Sequence, residues 1–414
     1  MNRRNFLKTT AIGSFPMVVP ARVFGANDRI QLGLIGLGGR CKWLVTNEGM
    51  PGAQIVSVAD CFAPRLDLAA KWVPEGDQWH KYRDYRSMFD KEKLDAVFVE
   101  TTTHARVLTC IHALQAGLDV YAEKPLTLTV AEGRTLVNAV RKYKRVLQTG
   151  TQQRSIPINI WGSKLVREGG IGKVKEVIAC NFEGPKRWTP QPAQPMPEGL
   201  DWDAWCNQTE LRPYHKDLQF RWADWWDYDG GGQSWGVSGW GTHSLDQVQA
   251  ALGTDNTGPV EVWPEGSGPQ CKVTMRYASG ALLKLEQPII RDHQQLGAIF
   301  IGEKGKLQIL RGSLVADPPE LIRDAPPVTP EGPKESVPHI QNFFDAVRAR
   351  QKPNADVEIG HRSTTVCHLV NICREVQRKL RWDPKAEKFI GDDEANAKLS
   401  RPRRKGYELP RIKA

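Results

Sequence analysis

Arg29-Ile30-Gln31-Leu32-Gly33-Leu34-Ile35-Gly36-Leu37-Gly38-Gly39-Arg40-Cys41 is the stretch on which the fold turns. Arg29 to Ile35 reads as a buried strand, and it runs straight into a glycine-rich turn. Gly36, Gly38 and Gly39 permit a tight turn and let backbone N–H groups approach a pyrophosphate at the start of the next helix. Cys41 stands where the third small residue of a dinucleotide fingerprint falls, so the turn is informative only together with the strands downstream of it.

The next strand, Gln54 to Val58, ends at Ala59-Asp60, about 20 residues beyond the glycines. An acidic side chain there takes both ribose hydroxyls and repels a 2′-phosphate, which predicts NAD rather than NADP; a helix N-cap is the structural alternative for Asp60. A further strand, Ala96 to Val99, ends in Glu100-Thr101-Thr102-Thr103-His104, and the helix after it carries Val107, Ile111 and Leu114 at helical spacing. Asp119 to Ala122 ends in Glu123-Lys124-Pro125, and Thr129-x-x-Glu132 makes a capping box for a helix reaching about Lys144. Strands alternating with amphipathic helices predict an α/β fold: a doubly wound, parallel Rossmann sheet over residues 27–150 with its ligand at the strand C-termini. Gly36, Gly38, Gly39, Arg40, Asp60, Thr101, Thr102, His104, Glu123, Lys124 and Pro125 all fall at such ends and form the expected cofactor set.

The glycine turn, the acidic end of the second strand, the Thr-rich turn with His104, and Glu123-Lys124-Pro125, in this order, resemble the Gfo/Idh/MocA oxidoreductases. The resemblance implies a second α/β domain whose sheet serves oligomer contacts, and a homo-oligomer is expected. From about Thr151 the pattern changes accordingly. Strand-like segments Lys173 to Phe182, Cys271 to Tyr277, Ala281 to Gln287, Ala298 to Ile301 and Gly305 to Leu310 predict a large, mostly antiparallel open sheet within residues 151–395. Helices near Val337 to Arg350 and Arg362 to Leu380 are expected to close the structure.

Within an insertion at 185–240 lie eight of the 14 tryptophans: 188, 202, 205, 222, 225, 226, 235 and 240. Interleaved with Asp201, Asp203, Tyr214, His215, Arg221, Asp224 and Asp227, the group suits a sugar site, where aromatic faces stack on C–H surfaces and carboxylates bind hydroxyls; core packing is the alternative for any single one. The insertion lacks the Lys/Arg excess of a nucleic-acid groove. It is followed by a glycine-rich run from Gly230 to Gly241, then Thr242-His243-Ser244-Leu245-Asp246. The resemblance implies a Lys/Asp/His catalytic set in which Lys124 and His243 match, while Gly239 stands at the Asp position. Oxidising a C–OH group needs a base for the hydroxyl proton while hydride leaves. Lys124 with a lowered pKa, or His243, fits that role, with Asp246 or Tyr214 as candidates to set what the missing Asp would. Gln152, Arg154, Tyr214, Trp240 and Asp246 form the expected substrate set.

The chain has 414 residues and a formal net charge of +10. Residues 1–26 carry Arg3, Arg4, Lys8 and Arg22 against no acid, and the tail 396–414 carries seven basic residues against Glu408, so the two ends account for the whole excess. Nucleic acid is therefore not an expected partner. Arg3-Arg4-Asn5-Phe6-Leu7-Lys8 followed by a short, weakly apolar stretch resembles a twin-arginine signal, which predicts a periplasmic or otherwise exported protein with cleavage between Val23 and Asn27. The basic tail reads as a strap over an acidic surface of its own or a neighbouring subunit, with polyanion or membrane contact as the alternative. Eight scattered cysteines with no CxxC support neither a metal site nor a disulfide framework, and no apolar segment is long enough to insert in a membrane.

These features predict an NAD-dependent oxidoreductase acting on a ring hydroxyl of a sugar or glycoside, with a tightly bound cofactor. Two alternatives stand beside it. One is a redox-neutral glycosidase or lyase, in which oxidation, elimination, water addition and re-reduction close the cycle. The other is a non-catalytic sugar-binding protein, prompted by Gly239.

Overall fold

The computed structural model describes residues 29–229, 236–289, 292, 296–330 and 332–412. The expected signal at 1–26 and the run 230–235, with Trp235, lie outside them.

Six strands, β1 (Ile30–Ile35), β2 (Ala53–Ala59), β3 (His80–Tyr82), β4 (Ala96–Val99), β5 (Asp119–Ala122) and β6 (Leu147–Thr149), form one parallel sheet in the order β3-β2-β1-β4-β5-β6. The helices α1 (Gly39–Trp43, extended by a π-turn to Glu48), α2 (Ala63–Ala69), α3 (Tyr85–Lys91), α4 (Thr103–Gln115) and α5 (Val130–Tyr143) connect them. Every residue of β4 and β5 is buried, as both faces of the sheet are covered; this is why these strands read as unbroken apolar runs. The capping box of Thr129 and Glu132 forms as expected, and α5 stops where Lys144 turns left-handed. The order reverses between β1 and β4, so the ligand crevice opens at their C-terminal ends.

The second sheet has nine strands in the order β13-β12-β11-β7-β10-β9-β8-β14-β15 and is antiparallel except between β7 and β10. Its strands are β7 (Val174–Cys180), β8 (Pro259–Glu265), β9 (Lys272–Tyr277), β10 (Leu282–Gln287), β11 (Ala298–Gly302), β12 (Lys306–Leu310), β13 (Ser313–Asp317), β14 (Leu380–Asp383) and β15 (Lys388–Phe389). α6 (Pro157–Arg167), α9 (Gly241–Leu252) and α11 (Val357–Val376) bury Val166, Leu245, Val248, Val366 and Val370 in one core with Val177, Met275, Leu285 and Phe300 of the sheet. The short helices α7 (Trp202–Cys206) and α8 (Lys216–Phe220) belong to the insertion, and α12 (Asp393–Ala397) precedes the tail.

Two expectations need correction. Helix α11 ends at Val376 rather than Leu380, because β14 begins at Leu380 and pairs with β8. The core under the first sheet also takes in one helix from outside 27–150. Helix α10 (Val337–Ala349) inserts Ile340, Phe343, Phe344 and Val347 into the core formed by Leu32, Phe98 and Tyr121, with the rings of Phe98 and Phe343 5.8 Å apart. Finally, the Trp-rich insertion is mainly a small core of its own. Trp202 and Trp205 stack at 4.5 Å among Leu200, Cys206, Tyr214, Leu218 and Tyr228, and Trp188 meets Trp225 edge-on. The acids assigned to a sugar site are engaged within the protein: Asp224 pairs with Arg221 and Asp227 with Arg212 inside the insertion, and Asp203 with Arg404 of the tail.

Among the described residues no helix is long and apolar enough to cross a membrane, and no cluster of three or more metal-ligating side chains occurs.

Candidate cofactor and active site

The crevice at the ends of β1, β2 and β4 is lined by Gly36, Gly38, Gly39, Arg40, Asp60, Thr101 and Thr102 from the expected set. Gly36 has φ +86°, and a Cβ there would lie 2.8 Å from the Thr101 backbone N, so only glycine lets the turn pass this close to β4. A Cβ on Gly38 or Gly39 would meet nothing within 4 Å, which leaves their backbone open to the crevice. Asp60 ties the turn down. Its Oδ2 accepts from Leu37 N at 2.8 Å and its Oδ1 from Phe62 N at 2.9 Å, and each oxygen keeps capacity for one hydroxyl. Arg65 stands 3.7 Å from Asp60 on the same wall.

Arg40 reaches inward, and its Nε donates to Glu123 Oε1 at 2.7 Å. Burial works against its charge, but Glu123 outweighs that and holds the guanidinium above its ordinary pKa. Burial likewise opposes the Glu123 carboxylate, yet Arg40 and Lys124 keep it below the usual range. Glu100 joins the site from outside the expected set. Burial, with the Glu123 charge second, pushes its carboxyl well above the ordinary value. Arg40 Nη2, both carboxyl oxygens of Glu100 and Thr101 Oγ1 are buried with no partner in the protein, and all three residues line the crevice. An open glycine cradle, a cation and unsatisfied donors and acceptors around it fit a dinucleotide.

Beyond Glu123 the chain enters the catalytic candidates. Lys124 Nζ donates to the backbone oxygen of Gly239 at 3.2 Å and sits 4.8 Å over the indole of Trp240. The same indole lies 5.6 Å from the ring of His243, at the start of α9, so Lys124 and His243 flank Trp240. Burial lowers the Lys124 pKa to about 8, against the opposing charge of Glu123. Burial, then the Lys124 charge, pulls His243 well below its ordinary value, and its Nδ1 is buried without a partner. The carboxylate missing at position 239 has no side-chain replacement from Asp246 or Tyr214. Asp229, fully buried and accepting from Thr103 Oγ1, is a negative charge acting on Lys124 that no local pattern announces.

Several expected residues lie elsewhere. His104 is fully buried; its Nε2 meets the Trp205 carbonyl at 2.8 Å and its ring packs on Trp205 and Tyr228, so it seats the insertion on the Rossmann unit instead of touching the crevice. Pro125 is buried behind the crevice, its carbonyl taken by Arg106. Arg154 and Asp246 face each other at 2.8 Å in the interior, where buried Ser363 and half-buried Asp255 complete the cluster. Tyr214 is held by Gln219 Oε1 at 2.9 Å inside the insertion core. Gln152 stays close to the site, donating to Tyr121 Oη and to Glu123 Oε1, both at 3.3 Å.

The fold and the crevice define a two-domain chain with a dinucleotide-binding Rossmann unit. The sequence model described as the oxidoreductase family NAD-binding Rossmann fold matches residues 30–151, and that for the family's C-terminal alpha/beta domain matches residues 164–409. The chain belongs to the Gfo/Idh/MocA oxidoreductase family. It is 25% identical over 169 residues to an inositol 2-dehydrogenase of Salmonella paratyphi B, covering 39% of this chain and 49% of that one. Against the scyllo-inositol 2-dehydrogenase (NAD(+)) of Bacillus subtilis it is 28% identical over 149 residues, 35% of this chain and 42% of the relative. The match thus spans about half the length of these curated relatives. In structure it is similar to the WlbA dehydrogenase from Bordetella pertussis, crystallised with NADH and UDP-GlcNAcA: TM-score 0.61, 17% identity, 86% of this chain and 99% of that one. At that identity the likeness speaks for the fold.

Proposed function

We propose that the protein is an NAD-dependent oxidoreductase acting on a ring hydroxyl of a sugar or glycoside, with its cofactor retained through the cycle. The observation that carries this reading is the pair Lys124 and His243 around Trp240, one peptide bond beyond the Glu123 that anchors Arg40 of the cofactor crevice. Bound NAD supplies a hydride acceptor. Gly36, Gly38 and Gly39 leave room for the pyrophosphate, Arg40 offsets its charge, and Asp60 accepts from ribose hydroxyls. Lys124, with a pKa of about 8, is partly neutral near pH 7 and can take the hydroxyl proton on Nζ. His243, held neutral, orients the hydroxyl through an imidazole nitrogen or relays that proton. The Trp240 face offers a platform for sugar C–H groups. Inositol and sugar-nucleotide dehydrogenases among the similar proteins support a polyhydroxylated substrate.

The same two residues serve a redox-neutral glycosidase. What favours that second reading is the crevice wall, where Trp205, Phe220 and Trp222 of the insertion stand over the cofactor residues. A cofactor retained behind this wall would have to be reset within each cycle. The signal-like N-terminus supports the same view, since twin-arginine export carries folded proteins to a periplasm poor in free NAD.

The test releases the cofactor from purified protein for mass spectrometry, then incubates intact protein with aryl glycosides and free sugars without added NAD. NADH accumulating with free sugars supports the oxidoreductase. Aglycone release without net NADH supports the glycosidase, and neither outcome leaves only sugar binding.

A further inference from the structure

Beyond α12 the chain runs across the molecule from the second domain to the Rossmann unit, and it is pinned at nearly every step. Leu399 O accepts from Ala131 N at 3.0 Å, and the Arg401 guanidinium stacks 4.4 Å over Trp226. Arg403 pairs with Glu132. Arg404 pairs with Asp203 and donates from Nε to the carbonyls of Asn207 and Thr209 at 3.1 and 3.2 Å. Tyr407 Oη donates to the other oxygen of Asp203 at 2.6 Å, and the Arg404 guanidinium covers its ring at 4.7 Å. Leu409 and Ile412 then pack against the Rossmann core. The basic tail is thus a strap over its own chain.

Its middle reaches the cofactor crevice: Gly406 and Tyr407 line it together with Gly38, Asp60 and Arg86. Asp60, the ribose acceptor, separates the glycine turn from the far end of the crevice, which Arg83, Tyr85, Arg86 and His112 wall off. A base attached to that ribose falls at this end. Tyr407 and Arg86 line this crevice together.

We propose that residues 403–412 are part of the cofactor site: Tyr407 forms the outer wall of the adenosine half of the crevice, and Asp203, gripped by Arg404 and Tyr407, is the clasp that keeps the wall shut. The wall is assembled from three segments distant in sequence, 83–86, 203–209 and 403–412, so a nucleotide behind it leaves only when the clasp between the last two opens. This deepens the reading of a retained cofactor and rests on it for the timescale, while the contact itself can be tested independently.

The experiment uses the full chain. NAD-loaded wild type, Arg404→Ala, Tyr407→Ala and Tyr407→Phe are diluted, and the NAD remaining on the protein is followed by mass spectrometry. Release about tenfold or more faster in both alanine variants, with Tyr407→Phe between them and wild type, is expected, since interface changes act chiefly on dissociation. Release within about twofold of wild type in variants that keep the wild-type unfolding temperature overturns the proposal. A second measurement covers the case in which a variant does not fold. Tryptic cleavage of the wild-type tail after Arg403, Arg404 and Lys405 is timed with no ligand, with ADP-ribose and with nicotinamide mononucleotide. ADP-ribose slowing cleavage while nicotinamide mononucleotide does not is the expected result; equal rates in all three overturn the assignment. If wild type itself exchanges NAD within seconds, retention fails, and the strap is still decided by whether ADP-ribose protects it.

Discussion

Lys124 Nζ donates to the carbonyl of Gly239 at 3.2 Å, so a backbone dipole stands where the family resemblance implies a carboxylate. A neutral acceptor holds the amine in place without adding the full negative charge that would keep it protonated. Lys124 acts as a base in its neutral form, which grows as pH rises toward a pKa of about 8. Under the proposed oxidation, kcat/KM should rise about tenfold per pH unit below that value and level off above it. Lys124→Met should abolish the slope and lower the rate by about 10²–10⁴; a variant with wild-type rate and slope would remove Lys124 from the mechanism.

His243 is pulled well below its ordinary pKa by burial and stays neutral where Lys124 titrates, so it should contribute no second break near that of Lys124. His243→Ala is expected to reduce kcat by roughly 10²–10⁴ while the break near pH 8 remains. Steady-state rates across pH 6–10 check this, and a lost break with an unchanged plateau would reverse the two roles.

Gly239→Asp would add the missing carboxylate beside the ammonium. An opposite charge this close raises a lysine pKa by about 1–3 units, so the break should move toward alkaline pH and the rate at pH 7 should fall. A profile that does not move means the Asp side chain does not reach Lys124.

Asp60→Ala removes the acceptor for Leu37 N and, as proposed, for the ribose hydroxyls, and leaves Arg65, Arg83 and Arg86 on the crevice wall. NAD affinity is expected to drop by about 1.5–3 kcal/mol, with NADP losing less because its 2′-phosphate gains an arginine-rich wall. Calorimetric titration with both dinucleotides gives the ratio; an unchanged preference would contradict the assignment.

Phe343→Ala tests the extent of the nucleotide-binding unit. Phe343 is fully buried against Phe98, and its loss should cost about 3–5 kcal/mol in urea denaturation and weaken NAD binding. A change under about 1 kcal/mol would mean that α10 is only loosely attached.

The parts of this fold that could be read from sequence are those whose geometry is local. The glycine turn, the acid at the end of β2 and the capping box of α5 each need particular residues at fixed spacing, and they stand where their chemistry requires. β3 and β6 have three residues each, too few to show a period. An amphipathic stripe says that α10 buries a face but not against which domain. The tryptophans of the insertion and the Arg154–Asp246 pair have the composition of a sugar site, yet aromatic and charged residues also build cores and buried ion pairs; only their partners tell the two apart. The contact at Gly239 had no signal to find, since a backbone carbonyl is present at every position.

Because α10 completes the core under β1, β4 and β5, the order of synthesis matters to this protein. A chain still on the ribosome has made all six Rossmann strands long before Phe343 and Phe344 emerge, and until then the part of that core beside Phe98 and Tyr121 lacks the cover of α10. Translation arrested anywhere in the second sheet therefore yields a nucleotide domain with an incompletely closed core.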